Sequence, residues 1–467
     1  MTPRTKIIVT LGPATEAEET IGQLMDLGTN VFRLNMSHAK HEWAREMTRL
    51  VRRQASQRGI HVAVLFDLTG PSIRTGDVEK PYALAIGDLV EFRREGTSPT
   101  IPISTTVNYG GMMDDVAEGS TLVVDNGTLL MQIQSRQDDR IICECKNSGE
   151  LGSRRHINLP GTRLNLPAMT EKDKVDLALA IECESDYIAG SFVRDAAHVH
   201  EIRRAIEALE GTAQVVSKIE DQEAVRNIDA IIQASDVIMI ARGDLGIEVD
   251  FEELPILQRR IVKRCHELSR RVIVATQLLD SMIQNPTPTR AEVTDCSNAV
   301  YEEADALMLS GETSVGKHAL RCVDALTRIA SRIERSGGMG YGQGVLLREE
   351  RQKTAKAAVT LVDSMPDARL VVLTRRGVLA NHTAMLRPRT KDFFAFTPSE
   401  VVCRQLAISR NVTALRLPFA AGIDETIKRA ASLLIERGFI TPGTPLVIVS
   451  DILSDHIAAN SILLHHA

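Results

Sequence analysis

The sequence predicts an α/β protein: a (β/α)8 barrel of the TIM type, a small β-barrel lid domain inserted into it, and a C-terminal three-layer α/β domain. Three observations predict this. Eight short apolar runs rich in β-branched residues alternate with amphipathic stretches, polar residues follow directly on those runs, and one connection between runs is far longer than a strand-to-helix step requires.

The runs are Lys6–Thr10, Asn30–Leu34, Val62–Phe66, Tyr187–Ala189, Val215–Lys218, Val237–Ile240, Val272–Ala275 and Ala306–Leu309. Between them lie helical patterns such as Glu18–Leu27, Ala196–Ala208 and Leu257–Ser269. Strands alternating with helices form a parallel sheet, and eight such units close it into a barrel whose chemistry sits at the carboxyl ends of the strands. Those ends carry Arg33, Asn35 and Ser37, then Asp67, Ser191, Lys218 with Glu220, Asp244, Thr276 and Ser310. One site built from many strands accounts for them all.

After the third run the rhythm breaks for about 100 residues, too many for a loop without structure of its own. The intervening stretch reads as β-rich, with Thr121–Val124 and Leu129–Ile133 joined by Asp125-Asn126-Gly127 and followed by Arg140–Cys145. The expected division is therefore 1–73 with 165–335 for the barrel, 74–164 for a lid over its mouth, 336–344 for a glycine-rich linker, and 345–467 for the last domain. The linker's glycines follow no strand, so they do not read as a dinucleotide loop. Beyond it Leu370–Leu373, Phe393–Phe396, Val412–Leu417 and Pro445–Val449 alternate with helical patterns.

A net charge of −6 and a pI near 6.1 exclude a general nucleic-acid binder, so any anion must be held by local geometry. No apolar stretch is long enough to span a membrane and the start lacks a signal-peptide core, which predicts a cytoplasmic protein without a membrane partner. The 7 cysteines are scattered without a CxxC pair, which argues against both a disulfide framework and a zinc site.

Lys218 and Glu220 are two apart on a strand and share a face, so a cation and a carboxylate project together into the barrel mouth. Alone, that pair would read as a structural salt bridge. The next strand, however, runs into Ala241-Arg242-Gly243-Asp244-Leu245-Gly246-Ile247-Glu248, where two glycines let backbone amides approach a ligand. Glu220 and Asp244 form an oxygen pair suited to Mg2+, which takes one or two carboxylates and fills its shell with water and substrate oxygens. Lys218, Arg33 and the metal then supply the positive charge that phosphoryl transfer requires. The Thr276 hydroxyl is placed to donate to a carboxylate or pass a proton.

These segments resemble the pyruvate kinase family from Arg4 to about Arg335. The resemblance is carried by Thr5–Pro13, Phe32–His38, Leu151–Ser153 with Asn158–Gly161, Ser217–Glu220, Ala241–Glu248, Ala275–Gln277, Pro288–Glu292 and Leu309–Thr313. It implies the reaction phosphoenolpyruvate + ADP → pyruvate + ATP, with Lys218, Arg33 and Thr276 catalytic. Gly243, Asp244 and Thr276 would join Arg33 and Lys218 in holding substrate, and Glu220 and Asp244 would hold Mg2+ (or Mn2+). Asn35, Ser37, His38, Arg74 and Arg155 would meet the nucleotide, the last from a basic pair, Arg154-Arg155, where family members usually carry two lysines. A homotetramer is implied as well.

The chain departs from the family in Asp67-Leu68-Thr69-Gly70-Pro71-Ser72-Ile73-Arg74. The potassium ligands implied are Asn35, Ser37, Asp67 and Leu68, the last through its backbone carbonyl alone. Ser72 supplies neither the Glu linked to potassium dependence nor the Lys found in members that work without it, so the resemblance does not carry that dependence over. The loop Thr374–Leu379 has too few hydroxyls to predict control by fructose 1,6-bisphosphate; its two arginines read as another anion site or a solvated basic turn. The rival readings are a divergent paralogue with another phosphoryl acceptor, an enolpyruvate-handling lyase, and a non-catalytic metabolite-binding relative.

Overall fold

The computed structural model describes residues 3–125, 127–390, 392–450, 453–454, 457–458 and 460–467. Asn126, the centre of the expected hairpin turn, lies outside the described residues. Among them eight parallel strands close into a barrel in chain order: Lys6–Thr10, Thr29–Asn35, Ala63–Asp67, Tyr187–Gly190, Gln214–Ile219, Val237–Ala241, Arg271–Ala275 and Ala306–Leu309. The last pairs with the first through Lys6 opposite Ala306 and Val9 opposite Leu309.

Alternation along each strand separates two cores. Ile8, Val31, Leu65, Ala189, Val216, Met239, Ile273 and Met308 fill the barrel, while their neighbours Val9, Phe32, Phe66, Val215, Ile240, Val274 and Leu309 pack outward on the helices. The helices are capped in sequence-readable ways. The Pro288–Glu292 motif is a capping box, in which Thr289 accepts from the Glu292 amide at 3.2 Å and Glu292 from the Thr289 amide at 2.7 Å. Glu292 also accepts from Ser281, so this motif anchors a loop rather than a ligand.

The inserted segment forms a mostly antiparallel sheet whose edge strands are Ile73–Arg74 and Ser104–Val107, and a bridge from Thr75 to Val107 joins the edges into a barrel-like shape. Its core gathers Val90, Phe92, Leu122, Met131, Ile141 and Cys143. The C-terminal sheet runs Val412–Arg416, Phe393–Thr397, Arg369–Leu373, Pro445–Ser450 and Ser461–His466, with separate cores on its two faces. Only the last of these strands is antiparallel, and it has no counterpart in the strands expected from sequence.

This domain closes the base of the barrel. Ala407 and Ile408 enter the inner core. Arg404 Nε donates to Asp186 Oδ1 at 2.7 Å, Arg271 to Gln405 O at 3.0 Å, and Lys6 Nζ to Val412 O at 2.8 Å. With the base sealed and the lid at the other end, ligand access is through the mouth.

Candidate active site

Strand parity decides which polar side chains reach the mouth. Val216 faces the inner core, so Lys218 two residues later faces inward too and Glu220 follows on the same side. The same count leads from Leu65 to Asp67 and from Val31 to Arg33 and Asn35.

These side chains meet as one cluster. Arg33 Nε donates to Asp67 Oδ2 at 2.6 Å and its Nη1 to Thr10 Oγ1 at 3.0 Å. Lys218 Nζ donates to Ser191 Oγ at 2.7 Å, and stands 2.9 Å from Glu220 Oε1 and 3.4 Å from Asp67 Oδ1. Ser191 Oγ passes the chain on to Leu68 O at 2.8 Å. The turn that presents Leu68 requires Gly70: its φ is +70°, and a Cβ there would lie 2.7 Å from the Ser191 Cβ.

Charge balance follows from burial and neighbours. Burial pulls the Lys218 ammonium down, but Asp67 and Glu220 outweigh it and hold the group above the ordinary lysine range. Burial pushes Asp67 up, and Lys218 and Arg33 more than offset it, keeping the carboxylate below its usual value. Glu220 is 1% exposed, and its Oε2 accepts the Phe192 amide at 2.6 Å. Burial raises it above its ordinary value, with Asp244 adding and Lys218 opposing. A buried carboxylate that a second carboxylate also raises is short of positive charge. Glu220 and Asp244 thus fit a hard divalent cation by donor type and by electrostatics.

Asp244 lies on a helix, Arg242–Glu248, which is not among the helical patterns expected from sequence. Gly243 therefore does not present a free amide: its N–H donates to Thr276 Oγ1 at 2.8 Å, and that hydroxyl donates to Ala275 O at 2.6 Å. Thr276 and Gln277 hold φ of 69° and 54°, and buried Arg242 ties this turn down by donating to Thr276 O at 2.7 Å and Asp295 Oδ1 at 2.7 Å.

Two cavities open on the cluster. A polar one of about 320 Å³ is lined by Arg33, Asn35, Ser37, Asp67, Leu68, Arg74, Arg155, Lys218, Glu220 and Asp244, which unites most of the residues expected from sequence. Gly243 and Thr276, also expected at the site, are not among its lining residues. A second, of about 660 Å³, shares Arg33 and Asn35 with the first and adds Pro13, His38 and Trp43. His38 thus lines a different cavity from Ser37, Arg74 and Arg155. On the lid, Arg155 pairs with Asp125 at 3.3 Å, whereas Arg154, which also lines the polar cavity, pairs with Asp77 at 2.9 Å.

Three residues escaped sequence reasoning. His156, on the lid strand, places Nδ1 4.0 Å from Asp244 Oδ1, and its ring lies against Phe192. Lys172 donates to Met36 O at 2.7 Å and to Thr69 Oγ1 at 3.3 Å, beside Ser37. Trp43, the only tryptophan, follows His38 by five positions on the helix His41–Arg58.

Residues 2–323 match the family model described as pyruvate kinase, barrel domain, and residues 352–465 the one described as pyruvate kinase, alpha/beta domain. Plastidial pyruvate kinase 2 of Arabidopsis thaliana is 37% identical, over 96% of this chain and 77% of its own length. A pyruvate kinase of Clostridium acetobutylicum is 34% identical over 96% of both chains. The crystal structure of a pyruvate kinase from Cryptosporidium parvum superposes with a TM-score of 0.93 at 31% identity, covering 99% of this chain and 96% of that one.

Proposed function

Because this chain belongs to the pyruvate kinase family, which moves the phosphoryl group of phosphoenolpyruvate to ADP, we propose that its catalytic machinery is the cluster of Arg33, Lys218 and Thr276 with Glu220 and Asp244. The observation that carries this reading is the Lys218 ammonium, fixed at the mouth by Ser191 and Glu220 and held in its charged form. Preorganised positive charge beside a transferring phosphoryl group lowers the barrier without reorganisation during the reaction.

Each residue then has a task. Lys218 and Arg33 flank the phosphoryl oxygens. The Gly243 amide and Thr276 hydroxyl, now bonded to each other at 2.8 Å, exchange that bond for the substrate carboxylate. Thr276 Oγ1 also lies on the path by which a proton reaches the enolate. Mg2+ (or Mn2+) bound by Glu220 and Asp244 would neutralise charge on the substrate oxygens. The lid meets the barrel where Asn158 Nδ2 donates to Glu248 Oε1 at 3.0 Å, a contact that helps exclude water.

The two cavities suit the two halves of a nucleotide. Phosphates occupy the one lined by Arg74 and Arg155, and the base occupies the one lined by Pro13, His38 and Trp43. Trp43 is the only indole in the chain, so titration with ADP should change the intrinsic tryptophan emission, and Trp43→Phe should abolish the signal while pyruvate formation continues. An emission spectrum unmoved by saturating ADP would remove the base from this cavity.

The monovalent position is retained in this reading. Asp67 Oδ1 is buried and faces only the Lys218 ammonium at 3.4 Å, with no closer hydrogen-bond partner among the described residues, and Asn35, Ser37 and Leu68 O supply the remaining oxygens. The direct test is pyruvate formation from phosphoenolpyruvate and ADP with Mg2+, in potassium and again in a large organic cation. Activity should appear in potassium and fall in the organic cation. Undiminished activity in the organic cation would assign the charge to Lys172, while no pyruvate in either medium would overturn the functional reading.

A further inference from the structure

Between the barrel base and the C-terminal domain lies a cavity of about 660 Å³ that the reaction does not use. Arg4, Arg387, Arg389, Arg410 and Lys356 face it, against the carboxylates of Glu303, Glu334 and Asp363, and Glu303 Oε2 accepts from the Tyr341 amide at 2.9 Å. The acids are already occupied. Glu334 Oε1 accepts from the Thr5 amide at 2.6 Å and the Thr5 hydroxyl at 2.8 Å, its Oε2 accepts from the Arg4 amide at 2.8 Å, and Asp363 accepts from the Arg389 amide at 2.8 Å.

The arginines are less well served. Arg410 is 8% exposed, its Nε has no hydrogen-bond partner among the described residues, and its nearest carboxylate oxygen, on Glu334, is 3.8 Å away. Burial, reinforced by the charge of Arg387, pulls it down to about 10. Arg387 spends its terminal nitrogens on Asp305 Oδ1 at 2.8 Å and Glu303 O at 2.7 Å, and its Nε is likewise unpartnered. Arg387 and Asn411, the residue after Arg410, hold φ of 53° and 64°. The opposite wall is the glycine-rich linker, where Gly337 and Gly340 take φ of 97° and 72°.

A buried guanidinium short of acceptors, with a second arginine and a lysine nearby, matches the planar, multidentate demand of a phosphate group. We propose that this cavity binds a small phosphate-bearing anion, received by Arg410 and Arg389 with Lys356 beside them. None of the residues of the Thr374–Leu379 loop lines it, so it is separate from that basic turn. Because barrel and C-terminal residues both contribute, a bound anion ties the two domains together and raises the thermal stability of the full chain.

The test is calorimetric titration of the full chain with inorganic phosphate and with glucose 6-phosphate. It uses wild type, Arg389→Ala, Arg410→Gln and Lys218→Met, each checked for fold by circular dichroism. Binding should persist in Lys218→Met and weaken at least about tenfold in Arg389→Ala, as loss of a charged hydrogen-bond donor predicts. Arg389 is exposed, so its variant keeps the test valid should Arg410→Gln unfold. Tighter binding of glucose 6-phosphate assigns the site to an organic phosphate, and equal affinity assigns it to the bare dianion; both support the proposal. Unchanged binding in Arg389→Ala, or loss of binding in Lys218→Met, would overturn it, the latter placing the anion in the catalytic mouth.

Discussion

Replacing Lys218 with methionine should lower the rate of pyruvate formation by about 10²–10³ or more, the range seen when one preorganised electrostatic partner is removed from a transition state. The loss should fall mainly on kcat, since Arg33 remains to bind the phosphoryl group. Methionine approximates the aliphatic part of the lysine, so packing is largely kept. What changes is charge: Asp67 and Glu220 lose the ammonium that stands 3.4 Å and 2.9 Å from them. Glu220, already raised by burial, rises further and takes up a proton, which limits the structural damage but weakens the carboxylate pair for the metal. Lys218→Arg should recover only part of the rate, because a planar guanidinium does not reproduce an ammonium aimed at Ser191 and Glu220. Steady-state kinetics with a thermal melt on each variant decides the matter. A kcat within about threefold of wild type would remove Lys218 from the chemistry, because that is under 1 kcal/mol of barrier.

The same cluster shows what a sequence can reveal. Lys218, Glu220, Asp67 and Arg33 were legible because a strand alternates strictly and a barrel's chemistry sits at one end, so a charge on the inner parity near a carboxyl end has one place to go. The fold was legible for the same reason: the eight strands are short, buried and β-branched, and differ from expectation only at their ends. His156, Lys172 and Trp43 reach the mouth from a lid strand and two helices, through packing that no local period encodes. The helix Arg242–Glu248 did not stand out because its two glycines weigh against a helix. Thr289 and Glu292, part of a segment that carries the family resemblance, serve as a helix cap. The strand Ser461–His466 alternates too weakly to stand out, and its place on the sheet edge is set by pairing with Pro445–Ser450.

Arg33→Met should cost both activity and stability, and the two losses can be separated. Arg33 Nε and Asp67 Oδ2 form a buried pair at 2.6 Å, with side chains 10% and 1% exposed. Removing one partner of such a pair leaves a buried charge and costs about 3 kcal/mol or more. Lys218, 3.4 Å from the other Asp67 oxygen, offsets some of this but is already shared with Glu220. The second change Asp67→Asn removes the stranded carboxylate, so Arg33→Met/Asp67→Asn should recover much of the stability in denaturant unfolding. It should not recover pyruvate formation, because neither the phosphoryl-binding cation nor the charged oxygen proposed for the monovalent ion returns. If the double variant regained activity along with stability, Arg33 would be a structural residue whose role ends at holding Asp67. If Arg33→Met alone left stability unchanged, the pair would contribute nothing to the fold and the account of the mouth as a balanced charge cluster would fail.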